Sequence, residues 1–212
     1  MRLVNYQHKY QSRNKFIFTP TAECVRKGRR LLRFFKNDPF PPHFFHYKRG
    51  GHVAALHSHV ENRFFFKIDL QNFFYSISRN RVADALRHFG FRPARAFAKW
   101  SCVINPYDAR PRYVLPIGFV QSPLLASLAL MRSPIAGAIA RAQARGCKVS
   151  VYFDDFIGSG PNAADLTIVY NDILATFTEA NLMANPNKLL LPAAAIRAFN
   201  CDLVKRTCRS YR

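Results

Sequence analysis

Acidic residues are scarce in this chain. It has 212 residues, of which 12 are Asp or Glu and 32 are Lys or Arg, so its formal net charge is +20. Such a charge suits a polyanionic partner, with nucleic acid as the first candidate and an anionic membrane surface as the second. The chain is not a disordered basic tail, since 49% of its residues are apolar and 14% are aromatic. We therefore expect one folded domain, or one with a short appendage, that binds a polyanion.

The sequence also has no CxxC pair and no apolar run at its start. The five cysteines are scattered, with no CxxC pair, which predicts free thiols in a reducing compartment. The first residues lack the apolar region of a signal peptide. A charge-free stretch runs from Tyr113 to Met131, but Pro116, Gly118 and Pro123 interrupt it, which favours a loop and a buried helix over a membrane helix. We predict a cytoplasmic protein with no membrane partner.

Apolar periodicity predicts an α+β fold with an antiparallel hairpin at its centre. Residues 63–70 form a short aromatic-rich run that is typical of a buried strand. Residues 148–158 form two apolar strands on either side of an Asp-Asp pair. Helices are predicted over 21–36, from the Ser78 cap to Gly90, after Pro93, over 123–145 with a break at Ser133-Pro134, and over 163–180.

Carboxylates cluster against this basic background. Asp69 ends the apolar strand, and Asp154 and Asp155 occupy the bend of the hairpin. Adjacent carboxylates in a basic chain are explained by bound cations, and Mg²⁺ takes carboxylate oxygens together with substrate phosphates. The other explanation is a plain turn, because Asp favours turns. The apolar strands on both sides of the pair favour the metal site.

Five blocks of the sequence, in order, resemble the motifs of reverse transcriptases. The blocks are FFKIDLQNFFYSI (65–77), LPIGFVQSPLLASL (115–128), VYFDDFIG (151–158), EANLMANPNK (179–188) and AFNCDLV (198–204). They are similar to the first palm motif, the LPQG-x-x-x-SP motif, the YxDD motif, the fourth motif that ends in lysine and, less closely, the primer grip. The resemblance covers about residues 45–204, and GFVQSPLLASL is similar to bacterial retron-like and defence-associated members. It implies a palm in which an antiparallel sheet carries the YxDD hairpin.

The resemblance also implies a division of the chain by role. Residues 1–62 would form a basic N-terminal and reduced fingers region, and residues 63–212 the palm, with helices over 78–104. The chain ends soon after the fifth block, so we expect no conventional thumb. A homo-oligomer neighbour, a protein partner, a structured RNA or the basic N-terminal region would then hold the primer–template. The implied partners are RNA, as template or as a noncoding RNA, the DNA product and deoxynucleoside triphosphates.

The implied reaction is two-metal phosphoryl transfer to a primer. Asp69 and Asp154 would be the principal ligands of two Mg²⁺ ions, with Mn²⁺ as the alternative, and Asp155 would lie beside them. The backbone carbonyl of Leu70 would be a further metal ligand. The ions would lower the pKa of the primer 3′-hydroxyl and neutralise the triphosphate. Lys188 would be a general acid near the leaving pyrophosphate.

The remaining implied site residues contact the nucleotide and the primer–template. Phe74 would block a ribose 2′-hydroxyl and so select deoxynucleotides. Ile117 stands where most relatives have Gln and cannot donate a hydrogen bond, which predicts low fidelity. The other implied contacts are Arg49, Lys67, Gly118, Gln121, Ser122 and Tyr152.

Other functions and one other metal site stay open at this point. The chain could be a template-independent or protein-primed DNA polymerase, or a non-catalytic RNA-binding palm subunit. Histidines between residues 43 and 59 have HxxH and HxH spacings, which could ligate zinc or contact RNA. The resemblance suggests antiviral defence in bacteria as the biological process.

Overall fold

The computed structural model describes residues 3–37, 40–205 and 207–210, the last four by their backbone alone. The chain forms two compact units, and each is built from two separate segments. The first unit comprises residues 1–38 and 72–132, and the second comprises residues 39–71 and 133–212. Packing defines these units, so the division by role into fingers (1–62) and palm (63–212) stays a prediction.

Strands and helices follow one another along the chain in an α+β order. They are β1 (Tyr6–Ser12), β2 (Lys15–Pro20), α1 (Ala22–Phe34), α2 (Gly51–His57), β3 (Phe64–Asp69), α3 (Phe73–Ser76), α4 (Arg79–His88), α5 (Ala94–Ser101), β4 (Val103–Ile104), β5 (Tyr113–Val114), α6 (Ser122–Met131), α7 (Pro134–Ala144), β6 (Lys148–Tyr152), β7 (Asp155–Gly160), α8 (Ala163–Glu179), β8 (Leu190–Ala193), β9 (Ala195–Ala198), β10 (Cys201–Val204) and β11 (Thr207–Ser210).

The first unit combines a β-ribbon with helices α1, α3, α4, α5 and α6. Strands β1 and β2 pair antiparallel through a turn at Arg13 and Asn14, which both have positive φ. Helix α1 begins at Thr21, whose hydroxyl accepts a hydrogen bond from the Cys24 amide at 3.2 Å. This satisfies one of the amide groups that the first turn of a helix leaves without a partner. The core of the unit contains Phe18, Cys24, Tyr75, Val103, Val114 and Phe119.

The second unit is built around a four-stranded antiparallel sheet with the strand order β6-β7-β3-β8. A separate three-stranded sheet has the order β11-β10-β9. Helix α8 packs on the larger sheet, where the Phe156 and Phe177 rings lie 5.0 Å apart and the Phe66 and Tyr170 rings 5.4 Å apart. The two phenylalanines of the sheet are fully buried, and each contributes about 2–3 kcal/mol of burial free energy.

One glycine in this sheet is required by close packing. The ring of Phe66 lies across Gly158, and a Cβ atom at Gly158 would be only 2.1 Å from two of its carbons. Phe66 is completely buried and has no space into which to move. The glycine of the VYFDDFIG block therefore allows β3 and β7 to pair while the Phe66 ring of β3 lies over the β7 backbone.

The predicted α+β class and its antiparallel hairpin are confirmed. The apolar stretch after Gln121 forms two helices, α6 and α7, broken where Ser133-Pro134 predicts a break. Helix α6 begins one residue earlier than expected, with Gln121 in the cap position and Pro123 in the first turn. Within the described residues, no single helix is long and apolar enough to cross a membrane. Of the helices described, only α6 and α7 taken together, with a bend of 65° between them, have the length and apolar composition of a membrane span. The cysteines whose side chains are described, at 24, 102, 147 and 201, are free thiols.

Candidate active site

Strand pairing in the second unit brings the three predicted carboxylates to one end of the sheet. The last pair of the β3–β7 ladder is Asp69 with Asp155. Immediately beyond it, the Leu70 amide donates to the backbone carbonyl of Asp154 at 2.9 Å. A strand that ends in Asp and a hairpin that turns through Asp-Asp therefore place all three residues together, within one unit.

Asp69 is held by the segment that carries the predicted general acid. Its carboxylate is buried, with 4% of the residue exposed, and lies 2.9 Å from Lys188 Nζ. Asn185 contacts Asp69 twice: its side-chain amide donates to the carboxylate at 3.3 Å, and its backbone amide donates to the Asp69 carbonyl at 2.8 Å. The Asn185 side chain also accepts from the Asn187 amide at 3.2 Å and so fixes the short 3₁₀ turn Pro186–Lys188. The hydrogen bond to Asp69, together with the negative charges of the three carboxylates, raises the pKa of Lys188.

Asp155 is also paired with a lysine. Lys67 Nζ lies 2.7 Å from Asp155 Oδ1, and both side chains are largely buried. Burial raises the pKa of Asp155, and the Lys67 ammonium opposes that shift. The charge of Asp69 also raises the pKa of Asp155, as expected for like charges in one site. Each of these two carboxylates thus has its own cation.

The turn between β6 and β7 is strained, and a histidine supports it. Phe153 has φ 54°, a left-handed conformation that is unfavourable for a large side chain. Its amide donates to His46 Nδ1 at 3.3 Å, and the two rings stack with their centroids 4.4 Å apart. Burial lowers the pKa of His46 to about 4, so the neutral ring is available as an acceptor. His46 therefore stabilises the conformation that presents Asp154 and Asp155.

A second histidine joins the two strands of the hairpin. His59 is completely buried, and its Nδ1 and Nε2 lie 2.6 Å from Ser159 Oγ and 2.8 Å from Ser150 Oγ. Ser150 belongs to β6 and Ser159 to β7, and Asn62 also donates to Ser159 at 2.7 Å. Burial lowers the pKa of His59 to about 3. This neutral ring joins the two strands of the hairpin that presents Asp154 and Asp155.

Three of the other predicted contacts share the second unit with the carboxylates. Tyr152 is half-buried, between the His52 ring at 5.7 Å and the Phe199 ring at 5.4 Å. Lys67 pairs with Asp155, as described above. Arg49 is exposed in the turn that leads into α2. Contact of these side chains with a nucleotide stays a prediction.

The remaining predicted contacts belong to the first unit. They are Phe74, Ile117, Gly118, Gln121 and Ser122. Gly118 has φ 107°, and a Cβ atom there would lie 2.2 Å from the Phe18 carbonyl oxygen, so its glycine is required locally. Gln121 is buried at 1% exposure and donates to Ser101 Oγ at 3.3 Å. Phe74 is half-buried beside the fully packed Phe73.

The carboxylate cluster suits a hard cation in its chemistry. The described residues contain no group of three or more His, Cys, Asp or Glu side chains already arranged around a metal position. The donors are nevertheless carboxylate oxygens, which Mg²⁺ prefers. Two of the carboxylates already hold ammonium groups at 2.7 and 2.9 Å, so this end of the sheet attracts positive charge. Two of the histidines from the HxxH and HxH spacings make other contacts, His46 with Phe153 and His59 with Ser150 and Ser159.

The sequence analysis missed the supporting roles of three residues: His46, His59 and Asn185. Asn185 had a usable signal, because Asn before Pro favours a turn and its side chain can bond to the backbone of that turn. The histidines had no such signal, since their partners are distant in sequence: 91 and 100 residues for His59 and 107 for His46.

Comparison with known proteins agrees with this geometry. The family profile "Reverse transcriptase (RNA-dependent DNA polymerase)" matches residues 20–194, whereas the curated proteins include no significant match. Among solved structures, apo telomerase from Candida tropicalis truncated from its C-terminal domain has a TM-score of 0.62 at 8% identity, over 90% of this chain and 45% of that one. Telomerase from Candida albicans, in complex with a fragment of telomeric RNA, has a TM-score of 0.61 at 9% identity, over 86% of this chain and 37% of that one.

A third structure extends the comparison to viral enzymes. The foamy viral protease–reverse transcriptase in complex with double-stranded DNA has a TM-score of 0.52 at 14% identity, over 94% of this chain and 29% of that one. At such identities the three structures establish the fold, and the chain spans less than half the length of each. The profile match, in contrast, covers most of the chain and includes both Asp69 and the Asp154-Asp155 hairpin. The chain therefore belongs to the reverse transcriptase (RNA-dependent DNA polymerase) family.

Proposed function

We propose that this protein is an RNA-directed DNA polymerase that adds deoxynucleotides to a primer. One observation carries the proposal: Asp69 and Asp155 face each other at the end of the β3–β7 ladder, with Asp154 beside them in the turn. Such a cluster is costly in a folded chain unless cations balance it. Its position in a chain with net charge +20 suits a nucleic-acid substrate.

Asp69, Asp154 and Asp155 would hold two Mg²⁺ ions, or Mn²⁺, with the Leu70 carbonyl as a further ligand. When bound, such ions activate a hydroxyl nucleophile and neutralise phosphate charge. The protein's own contribution begins with Asn185 and Lys188, which fix the orientation of the Asp69 carboxylate. Lys188 is kept protonated by its raised pKa and would deliver a proton from Nζ to the leaving pyrophosphate. Lys67, whose Nζ lies 2.7 Å from Asp155 Oδ1, would balance the charge of Asp155 or of a phosphate.

The first unit would supply the choice of nucleotide. The half-buried ring of Phe74 would exclude a 2′-hydroxyl, and Ile117 would leave the nucleotide without the hydrogen bond that a Gln gives, which lowers fidelity. The nucleotide would also be positioned by the segment that contains Gly118, Gln121 and Ser122. Arg49 would contact the triphosphate, and Tyr152 would contact the primer terminus. An associated noncoding RNA, an oligomeric or protein partner that replaces the thumb, and a role in bacterial antiviral defence in the cytoplasm remain predictions of the resemblance.

Incorporation of labelled deoxynucleotides on a primed RNA tests the assignment. Asp154→Asn and Asp155→Asn are expected to lower incorporation by more than about 100-fold, since even residues that only orient a metal ligand contribute 10–100-fold. Glu61→Gln is the matched control, because it removes one negative charge from an exposed position of the second unit. Incorporation that survives in both Asp variants, or that needs no divalent cation, would refute the proposed site.

A further inference from the structure

A groove in the first unit is lined by four cationic side chains and three uncharged ones. It lies between α4 and α5 and has a volume of about 390 Å³. Its charged lining consists of Arg79, Arg87, Arg95 and Lys99, and no carboxylate lines it. A groove of this kind is suited to a chain of phosphates rather than to a neutral ligand.

The cations of this groove are only partly balanced by neighbouring acids. Asp84 on α4 lies 3.3 Å from Arg87 and 3.8 Å from Arg132, so it compensates one edge of the groove. Arg95 and Lys99 are exposed, and neither has a carboxylate within ion-pair distance in the part of the chain that the structure describes. The surplus of positive charge in the groove therefore lies on Arg79 and on the two cations of α5.

An adjoining pocket of about 500 Å³ adds an aromatic and apolar surface. It shares Arg79 and Lys99 with the groove and is also lined by Tyr6, Ile104 and Tyr113. These three side chains are 37–43% exposed. The Arg79 guanidinium lies 4.1 Å from the centroid of the Tyr113 ring. Cations that track phosphates beside an aromatic ring are the two elements with which proteins bind single-stranded nucleic acid.

We propose that the groove and the adjoining pocket bind a single-stranded segment of nucleic acid. Its phosphates would lie on Arg87, Arg95 and Lys99, and one base would pack against Tyr113. A duplex fits less well, because its bases are stacked and cannot reach an aromatic side chain. The site is formed by the first unit alone and contains none of the carboxylates, so it goes beyond the proposed polymerase activity.

Fluorescence anisotropy with labelled oligouridine and oligothymidine tests the phosphate contacts, in chelator and without nucleotides. The double variant Arg95→Gln, Lys99→Gln is compared with the control Arg145→Gln, Lys205→Gln, which removes the same charge from exposed positions of the second unit. Loss of two phosphate contacts lowers the slope of log affinity against log salt by about 1.4. If the binding curves meet near 1 M salt, this slope gives a loss of about 25-fold near 0.1 M. Equal losses in the two double variants would overturn the proposal, because they would indicate charge attraction without a site.

The base contact has its own variants. Tyr113→Ala is expected to weaken binding about fivefold or more, whereas Tyr113→Phe keeps the ring and retains affinity. An RNA duplex of equal length should compete poorly. Wild-type affinity in Tyr113→Ala, or equal competition by the duplex, would refute the single-stranded site.

Binding to phosphatidylserine vesicles tests the membrane alternative. The proposal would also be refuted if the double variant Arg95→Gln, Lys99→Gln lost vesicle binding but kept its affinity for the oligonucleotides. The ratio of the affinities for oligouridine and oligothymidine shows whether RNA or DNA is the preferred occupant. Asp154→Asn should bind both oligonucleotides as tightly as the wild-type protein does, because this site contains none of the carboxylates.

Discussion

Replacing His59 by glutamine is expected to remove a large part of the protein's loss of stability in mild acid. Burial, together with the smaller effect of the nearby Lys148 charge, lowers the pKa of His59 from 6.5 to about 3. The unfolded chain therefore takes up a proton as the pH falls through 6.5, while the folded protein does not until about pH 3. The stabilisation is complete above the unfolded pKa and is lost progressively as the pH falls through this window.

The size of the effect follows from the two pKa values. About pH 5 lies about 1.5 pH units below the unfolded pKa, and one extra proton on the unfolded state lowers stability by about 1.36 kcal/mol per pH unit, which gives about 2 kcal/mol of lost stability. Because Gln does not titrate, the His59→Gln variant should not show this loss of about 2 kcal/mol. It should also be less stable near neutral pH by about 1–3 kcal/mol, since the glutamine side chain lacks the two ring nitrogens that bridge Ser150 and Ser159 and at least one of these buried hydrogen bonds is lost.

Urea unfolding at about pH 7.5 and about pH 5 measures both effects. The wild-type protein should lose about 2 kcal/mol more between the two conditions than His59→Gln does. His43 and His46 also have pKa values lowered by burial, to about 4, but they contribute equally to both proteins and cancel in the difference. An equal loss of stability in the two proteins would show that His59 is not the group responsible.

Three further substitutions test other parts of the molecule. Gly158→Ala should destabilise the protein by about 1–3 kcal/mol or more in urea unfolding, since the new methyl group meets Phe66; unchanged stability would contradict that packing. Phe74→Ala should raise ribonucleotide incorporation relative to deoxynucleotide incorporation in single-nucleotide assays, and an unchanged ratio would remove Phe74 from sugar selection. Ile117→Gln should lower the misincorporation frequency on a defined template, whereas a frequency equal to that of the wild type would refute the explanation of low fidelity.

Apolar patterning predicted the elements that carry the carboxylates. The run from Phe64 to Ile68, interrupted only by Lys67, is apolar and rich in aromatics because this strand is paired on both sides and covered by α8. Ser78 predicted the start of α4 correctly, since its hydroxyl accepts from the Arg81 amide. The three Asp residues lie together because Asp69 ends one strand of the sheet and Asp154 and Asp155 lie at the turn into another. Their positions at the ends of apolar runs could be recognised from the sequence.

Other elements had no such pattern. Strand β1 is exposed along its whole length, so no alternation of apolar residues marks it. Its turn at Arg13 and Asn14 depends on positive φ values that Asn tolerates, but this dipeptide is a weaker signal than Asn-Gly. The ion pairs Lys67–Asp155 and Lys188–Asp69 also arise only from strand pairing and from the 3₁₀ turn. Contacts over such distances in sequence need the folded chain.

Sequencing of the DNA made on an RNA template of mixed sequence tests the central claim most directly. The wild-type protein with Mg²⁺ should produce DNA complementary to that template, and Asp69→Asn, which leaves Lys188 without its partner, should produce none. DNA whose sequence does not depend on the template, or complementary DNA made equally well by Asp69→Asn, would contradict the assignment of this chain as a polymerase that copies RNA through its carboxylate cluster.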